Sequence, residues 1–574
     1  MKNFAALLLL AAVLLVLIPA LAAQNSSVDI YGRPLPADAA PYEMQVWQVL
    51  CDASRTEIGL MSVVTVTRRI CDLNGADKLS DSLVTLDENL NLVPAAAESW
   101  EILEDGLTWR FHLRPAQVWS DGTPLTATDY LATFRYMVNP ATDYDSVSLW
   151  SGVIGGWDEA SAGTIPPDQI GVTAVDDLTL DITTVAPVSG FPALHFVAPL
   201  QAAALAQYGS ARYTLDPATS VSSGPFILTE YTPGVRLILN ANPTYNGYRK
   251  PFLREIRGIY GNWLGGSLLA FQNHDVETAE NIAFTPQDVV RIDADSALQA
   301  QFRASAGNFH TDLLFFNTVR APFDDLNVRL AFAKAIDRET IISKTSAGFT
   351  AAPATSLLTP GFTSSDQTLT GIQAYDCPAA QALLTEAGYR SGSGFTPLEL
   401  RLRAEPEAVF NRFLAAATSI TNCLNIPISV INLPAERFMS DMLARPTALQ
   451  FGGLSDDAAY PDPASLFNHW QSSGQYTWNN PDYDELITQA AGEPDAERRV
   501  QLYGDADRIL VEDVGAVFVS RSVQGALFQS YVAGQCFTPD TQGISAWHWG
   551  NDGCWGSVYI TDAAETVDTY RTRS

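Results

Sequence analysis

The clearest regularity in the chain is alternation by two, broken repeatedly by helical spacing. In GLTWRFHLRP, Leu107, Trp109, Phe111 and Leu113 recur every second residue, which predicts a half-buried strand; SDGTP then turns the chain. TATDYLATFRYM follows, with Thr126 and Asp129 spaced as a capping box and Leu131, Phe134 and Met137 on one helical face. GPFILTEYTPGVRLIL reads as a hairpin. Its turn is residues 232–234, and Val235, Leu237 and Leu239 alternate on the return strand. In FDDLNVRLAFAKAIDRETII, Val328, Ala331, Phe332, Ala335 and Ile336 keep helical spacing behind an N-cap at Asp325.

Further along, Asp376, Pro378 and Gly388 bracket a helix carrying Leu383, Leu384 and Ala387. A strand begins at Leu398. A helix through Phe410, Phe413, Leu414 and Ala417 follows, then a strand over 428–431. Strand, helix and strand at this spacing predict a βαβ unit with a parallel pair. The fold class is α/β with additional β-rich material. There is no fixed-period repeat and no low-complexity linker.

Composition narrows the picture. At 574 residues, 47% hydrophobic and 17% charged, the chain can bury substantial cores and is too long for one small domain, so two or three lobes are expected. The formal charge of −30 repels phosphate backbones and anionic lipid, which argues against nucleic-acid binding. The first residues, MKNFAALLLLAAVLLVLIPALAAQ, have a Lys2 n-region, an apolar stretch over 4–18, a break at Pro19 and an Ala-Leu-Ala cleavage pattern. This predicts a signal peptide over 1–22; an uncleaved anchor is the alternative, since the run through Ala23 is just long enough to span a bilayer. The mature protein is expected to be exported. Six cysteines suit an oxidising compartment. Local disulfides, Cys51 with Cys71, Cys377 with Cys423 and Cys536 with Cys554, are one of the connectivities they allow; buried free thiols are the alternative.

Candidate chemistry is sparse. The chain has no G-x-S-x-G, H-E-x-x-H, phosphate-binding loop or EF-hand loop, and its six His are scattered. One stretch stands out: GGLSDDAAYPDPASLFNHW, residues 452–470, sets Asp456 and Asp457 side by side on a tight, proline-locked turn. Catalysts, metal ligands, a receptor for a positive ligand and solvated turn charges are all open readings. Asp456, Asp457, Asp462 and His469 lack a recognised metal-ligand spacing. A glycosidase pair would need its two carboxyls on different elements.

Six stretches, in order, resemble one family. LVPAAAESWEILEDGLTWRFHLRPAQVWSDGTPLTATDY is similar to the signature segment of the family-5 extracellular solute-binding proteins, the oligopeptide- and dipeptide-binding components of ATP-driven (ABC) importers. SSGPFILTEYTPGVRLILNANPTY resembles that family's "GPF" hairpin, and FFNTVRAPFDDLNVRLAFAKAIDRETII its "AIDR" block. YDCPAAQALLTEAGY, NNPDYDELITQA and ERRVQLYGDADRILVEDV match further blocks, so the resemblance covers about residues 79–540.

The resemblance implies a type II periplasmic-binding-protein fold: two lobes, a hinged cleft and an inserted subdomain. It implies lobe I over 23–76 and 221–309 with a return and tail over 523–574, the inserted subdomain over 77–220, and lobe II over 310–522. The chain would cross between lobes near His310 and near Ser522. The protein would capture peptides or a similar small solute by lobe closure, as a monomer, and hand it to membrane permease and ATPase subunits. It would act in the periplasm or on the outer face of the cytoplasmic membrane, with no catalytic residue, metal or cofactor. A secreted hydrolase of glycans or peptides is the alternative, as is the same fold holding an oligosaccharide, a nickel chelate or an opine.

In the family, a Gly-rich "GW--DYPDP" segment lines the cleft, and the Asp before its Tyr receives the ligand's ammonium. Here Leu454 replaces the Trp, Ala459 precedes Tyr460, and the run is one residue longer. The resemblance therefore points to Asp457, or failing it Asp456, as the amine receptor, with Gly453 and Tyr460 along the wall. Asp81 stands where the family often has a cleft-lining Glu; a solvated helix acid is its alternative.

Overall fold

The computed structural model describes residues 28–573 except 53–77, 88–91, 143, 145, 146, 189, 190, 192–196, 210–212, 214, 215, 306–309, 359–364, 366, 445, 446, 459–461, 494, 539–543 and 546–551. The candidate signal peptide lies outside that set, and so do Cys71 and Tyr460. Among the described residues no helix is long and apolar enough to cross a membrane.

The predicted alternation builds a four-stranded antiparallel sheet in the order Ala97–Ile102, Thr108–Leu113, Thr179–Thr183, Val172–Asp176. Trp109, Phe111 and Leu113 point inward, as their spacing requires. Helix Ala127–Val138 starts at the Thr126–Asp129 capping box and buries Phe134 and Met137. Trp150 and Trp157 meet Phe134 at ring distances of 5.7 and 6.5 Å.

A second sheet has the order Val46–Asp52, Glu255–Gly261, Arg236–Ala241, Phe226–Thr232; only its first pair is parallel. The hairpin is present, but its return strand begins at Arg236. Val235 sits exposed in the turn, while Leu237 and Leu239 are fully buried. One apolar cluster runs through both sheets and takes in Cys536, Trp555 and Tyr570 from the C-terminal end. A small third sheet joins Thr278–Glu280, Gln524–Phe528, Phe302–Ser305 and Ile544–Ser545.

The largest sheet has six strands, in the order Ala351–Pro353, Ala516–Ser522, His310–Phe316, Phe451–Asp457, Leu398–Arg403, Ile428–Leu433. The predicted βαβ unit is its far edge: the 398 and 428 strands pair in parallel around helix Glu407–Leu424. Because strand side chains alternate, each face carries its own core. Leu313, Phe315, Leu454 and Phe518 belong to one; Leu314, Phe316, Phe451 and Val517 belong to the other. Helix Leu326–Lys334 is capped by Asp325, and helix Cys377–Glu386 by Asp376. Disulfides join Cys377 to Cys423 and Cys536 to Cys554. Cys51 is disulfide-bonded too, but its expected partner is outside the described residues.

The chain passes between the small sheet and the six-stranded sheet twice. Phe302–Ser305 belongs to the first and His310–Phe316 to the second. On the way back only Val523 separates Ser522 from Gln524. The passages are neighbours, because Ser305 pairs with Gln524 on one side and Thr311 with Arg521 on the other.

Candidate functional site

The paired acids are not on a turn. They are the last two residues of strand Phe451–Asp457, which runs antiparallel to His310–Phe316 and so ends beside the first passage. Alternation sends the two carboxylates to opposite faces, and they cannot work as a pair.

Asp457 points to the face that holds Asp312. Its side chain is 64% exposed and contacts Nδ1 of His310, its cross-strand partner. His310 reaches Asp312 Oδ1 with Nε2 at 3.3 Å. Burial works against a charged imidazole there, but the carboxylates of Asp312 and Asp457 outweigh it, and the His310 pKa is pushed up to about 10.

Asp312 is the hub. It is fully buried in strand His310–Phe316, where Leu and Phe fill every later position. Arg412 donates from Nε and Nη2, both at 2.8 Å; the Ser455 and Ser520 hydroxyls donate at 2.6 and 2.5 Å. Burial raises its pKa, yet His310, Arg412 and Ser455 together hold the carboxyl well below the usual range. Three strands and a helix are tied at one charge.

Asp456 points to the other face and is buried. His469 Nδ1 stands 3.7 Å from its Oδ1, too far for a hydrogen bond but within charge attraction. Asp456 holds the imidazole above its usual pKa despite burial. Among the described residues, Oδ2 of Asp456 is buried with no hydrogen-bond partner. A carboxylate oxygen in that condition is costly unless a donor reaches it.

The model of the bacterial extracellular solute-binding proteins, family 5 (its middle part) matches residues 91–478. The chain belongs to this family of solute-binding proteins. It is 26% identical over 476 residues to the periplasmic oligopeptide-binding protein OppA of Escherichia coli, covering 79% of this chain and 84% of that one. It is 25% identical over 523 residues to the probable deoxycholate-binding periplasmic protein YgiS of the same organism, covering 89% and 94%. The unliganded open form of the periplasmic murein tripeptide binding protein MppA superposes with a TM-score of 0.76 at 22% identity, covering 92% of this chain and 99% of that one. The Haemophilus influenzae OppA complex with the peptide RPPGFSPFR gives 0.60 at 22%, covering 90% and 99%. The fold is the type II periplasmic-binding-protein fold of that family.

Two family-derived expectations need correction. Asp81 is neither a cleft wall nor a solvated helix acid. It is fully buried outside any helix; Arg249 donates to Oδ1 at 2.9 and 3.1 Å, and the Tyr245 hydroxyl to Oδ2 at 2.8 Å. An acid desolvated this far needs such partners to exist, and it has none to spare for a ligand. Gly453 faces the core rather than a solute: a Cβ there would sit 2.8 Å from Leu402 Cδ2 and 3.1 Å from Leu314 Cδ2. Its small size lets the strand lie close to those neighbours. Tyr460 falls outside the described residues.

Sequence reasoning missed Asp312, Arg412 and His310. The visible signal was HTDLLFF, a lone acid two residues after a histidine and directly before four apolar residues.

Proposed function

We propose that this family-5 protein is the extracytoplasmic receptor of an ATP-driven importer, and that it captures a short peptide by closing two lobes. Lobe II would be residues 310–522, and the remainder, with its inserted subdomain over 77–220, lobe I. The observation that carries the reading is the pair of adjacent passages between sheets. Two short connections side by side are the geometry of a hinge, since a few backbone dihedrals there can swing one body against the other. The acids at the end of strand Phe451–Asp457 lie next to it.

Of the two, Asp456 is the better amine receptor. Asp457 is exposed and engaged with His310, whereas Asp456 Oδ2 is buried and no donor reaches it among the described residues. A ligand ammonium would supply that donor, and a buried ammonium in turn needs a carboxylate. This reverses the order of preference that the family pattern suggests. Export, a monomeric state, and permease and ATPase partners complete the proposal. The relatives' names support peptides as the solute: OppA is an oligopeptide-binding protein and MppA a murein tripeptide-binding protein. Mass spectrometry of solute released by denaturing the purified protein tests it. Peptides are expected; a sugar, a metal chelate or a sterol acid would replace the reading.

A further inference from the structure

The N-terminal stretch around Arg33, the loop over 248–252, the start of strand Phe302–Ser305 and the C-terminal end enclose a cavity of about 970 Å³. The small sheet sets its place. Phe302 pairs with Leu527 and Ser305 with Gln524, so Gln301 and Phe528 lie at the end of that sheet turned away from the two passages. The cavity wall carries Arg33, Arg249, Lys250 and Arg303, and no acid. In a chain with 64 acids and 34 bases, that is the reverse of what chance supplies. A concave surface lined by one sign of charge concentrates the opposite charge within it.

Two of the four cations are already balanced. Arg33 donates from Nε to Asp29 at 2.6 Å, and Arg249 pairs with the buried Asp81 at 2.9 Å. Lys250 and Arg303 have no acid within ion-pair reach among the described residues. Arg303 spends Nη1 on the carbonyls of Ala300 and Phe302, at 2.6 and 3.0 Å. Lys250 Nζ lies 5.2 Å from the centre of the Tyr31 ring; Arg33 Cζ lies 5.5 Å from the same centre and 4.5 Å from that of Phe252. Ring faces attract cations, but two like charges on one ring repel, and Asp29 offsets only one of them. Arg33 Nη2 pins the loop by donating to the carbonyls of Lys250 and Pro251, both at 2.9 Å, while its Nη1 meets no acceptor among the described residues. Asp38 touches the wall from outside the lining, as acceptor of the Tyr559 hydroxyl at 2.9 Å, and is itself exposed to solvent.

We propose that this cavity is a second binding site, separate from the solute cleft, and that it takes a phosphate group. A carboxylate brings one charge, whereas a phosphate ester brings about −1.5 to −2 and three acceptor oxygens, which suits two unbalanced cations and the open Nη1 of Arg33. A guanidinium fork grips phosphate with paired hydrogen bonds, and an ammonium beside it acts as a point charge. The volume leaves room for the rest of an organic phosphate against the rings of Phe252 and Tyr559, whose centres are 6.3 Å apart. A lipid headgroup and a free phosphate ester present the same chemistry. The charge of −30 opposes approach to an anionic bilayer, so a free phosphate is the expected source. The inference does not depend on the identity of the solute.

The test is calorimetric titration with pyrophosphate at low salt, on wild type, Lys250→Met, Arg303→Met and Lys250→Arg. Wild type should bind it, and each Met variant should bind about 10- to 100-fold more weakly, the usual range for a hydrogen bond to a charged group. Lys250→Arg keeps the charge and should retain binding, which separates a lost contact from a misfolded variant. Arg437→Met removes an exposed base elsewhere and should change nothing. An equal loss in Arg437→Met would reduce the effect to overall charge and overturn the proposal; so would binding that survives both Met substitutions. Co-sedimentation with phosphatidylglycerol vesicles, against phosphatidylcholine vesicles, is the second arm. Vesicle binding that the Met variants lose, with no pyrophosphate binding, would keep the phosphate site and make a headgroup its occupant. Binding to neither probe would refute the site. The solute released from the purified protein should bind every variant as tightly as wild type; a parallel loss of its affinity would make the cavity part of the cleft and overturn its separate role.

Discussion

Replacing His310 with Asn should flatten the protein's alkaline stability profile. In the folded state His310 sits between Asp312 and Asp457, and its pKa rises from 6.5 to about 10. A pKa raised by folding stabilises most below the unfolded value, and the benefit drains away as pH climbs through the folded one. The window is therefore pH 6.5 to about 10. Each pKa unit is worth about 1.4 kcal/mol, so the contribution reaches up to about 5 kcal/mol at pH 6 and vanishes near pH 10. His310 is only 17% exposed, but Asp457 is 64% exposed and solvent screens its share, so the figure is an upper bound. Urea unfolding of wild type and His310→Asn across pH 6–10 is the assay. Wild type should be markedly more stable at pH 6, and the gap should close by pH 10. Parallel curves would refute the reasoning, because other titrating groups are common to both proteins.

Arg249→Met should cost about 3–5 kcal/mol in the same unfolding assay, because Asp81 is left buried with its cation gone, and Arg249→Met with Asp81→Asn should recover part of the loss. Gly453→Ala should cost about 1–3 kcal/mol, since its methyl would press on Leu402 and Leu314. Replacing Cys377 and Cys423 by Ala should lower stability by about 4 kcal/mol from the 46-residue separation they close. Asp456→Asn should weaken binding of the released solute roughly 30-fold or more, whereas Asp457→Asn should change it little; equal effects would undo the preference for Asp456.

The elements that announced themselves did so through local chemistry. The Thr126–Asp129 box, the Asp325 and Asp376 caps, and the inward Trp109, Phe111 and Leu113 depend on neighbours within a few residues, and the sequence displays those directly. The site was less legible because its parts are distant in sequence. Asp312 meets Arg412 at a separation of 100 residues and Ser520 at 208. The two acids were misread for a related reason. Pro461 and Pro463 suggested a turn, but the backbone of Asp456 and Asp457 is still paired to the His310 strand, and that pairing decides which way each carboxylate points. Asp81 shows the limit of a family pattern: an acid at a familiar position is a ligand contact only if nothing else holds it, and here Arg249 and Tyr245 do.

Capture by closure of two bodies about adjacent passages can be read from small-angle scattering with and without the released solute. A smaller radius of gyration is expected at saturation, because the lobes draw together when the cleft fills. Saturating binding, proven by calorimetry on the same sample, with an unchanged radius of gyration would contradict it.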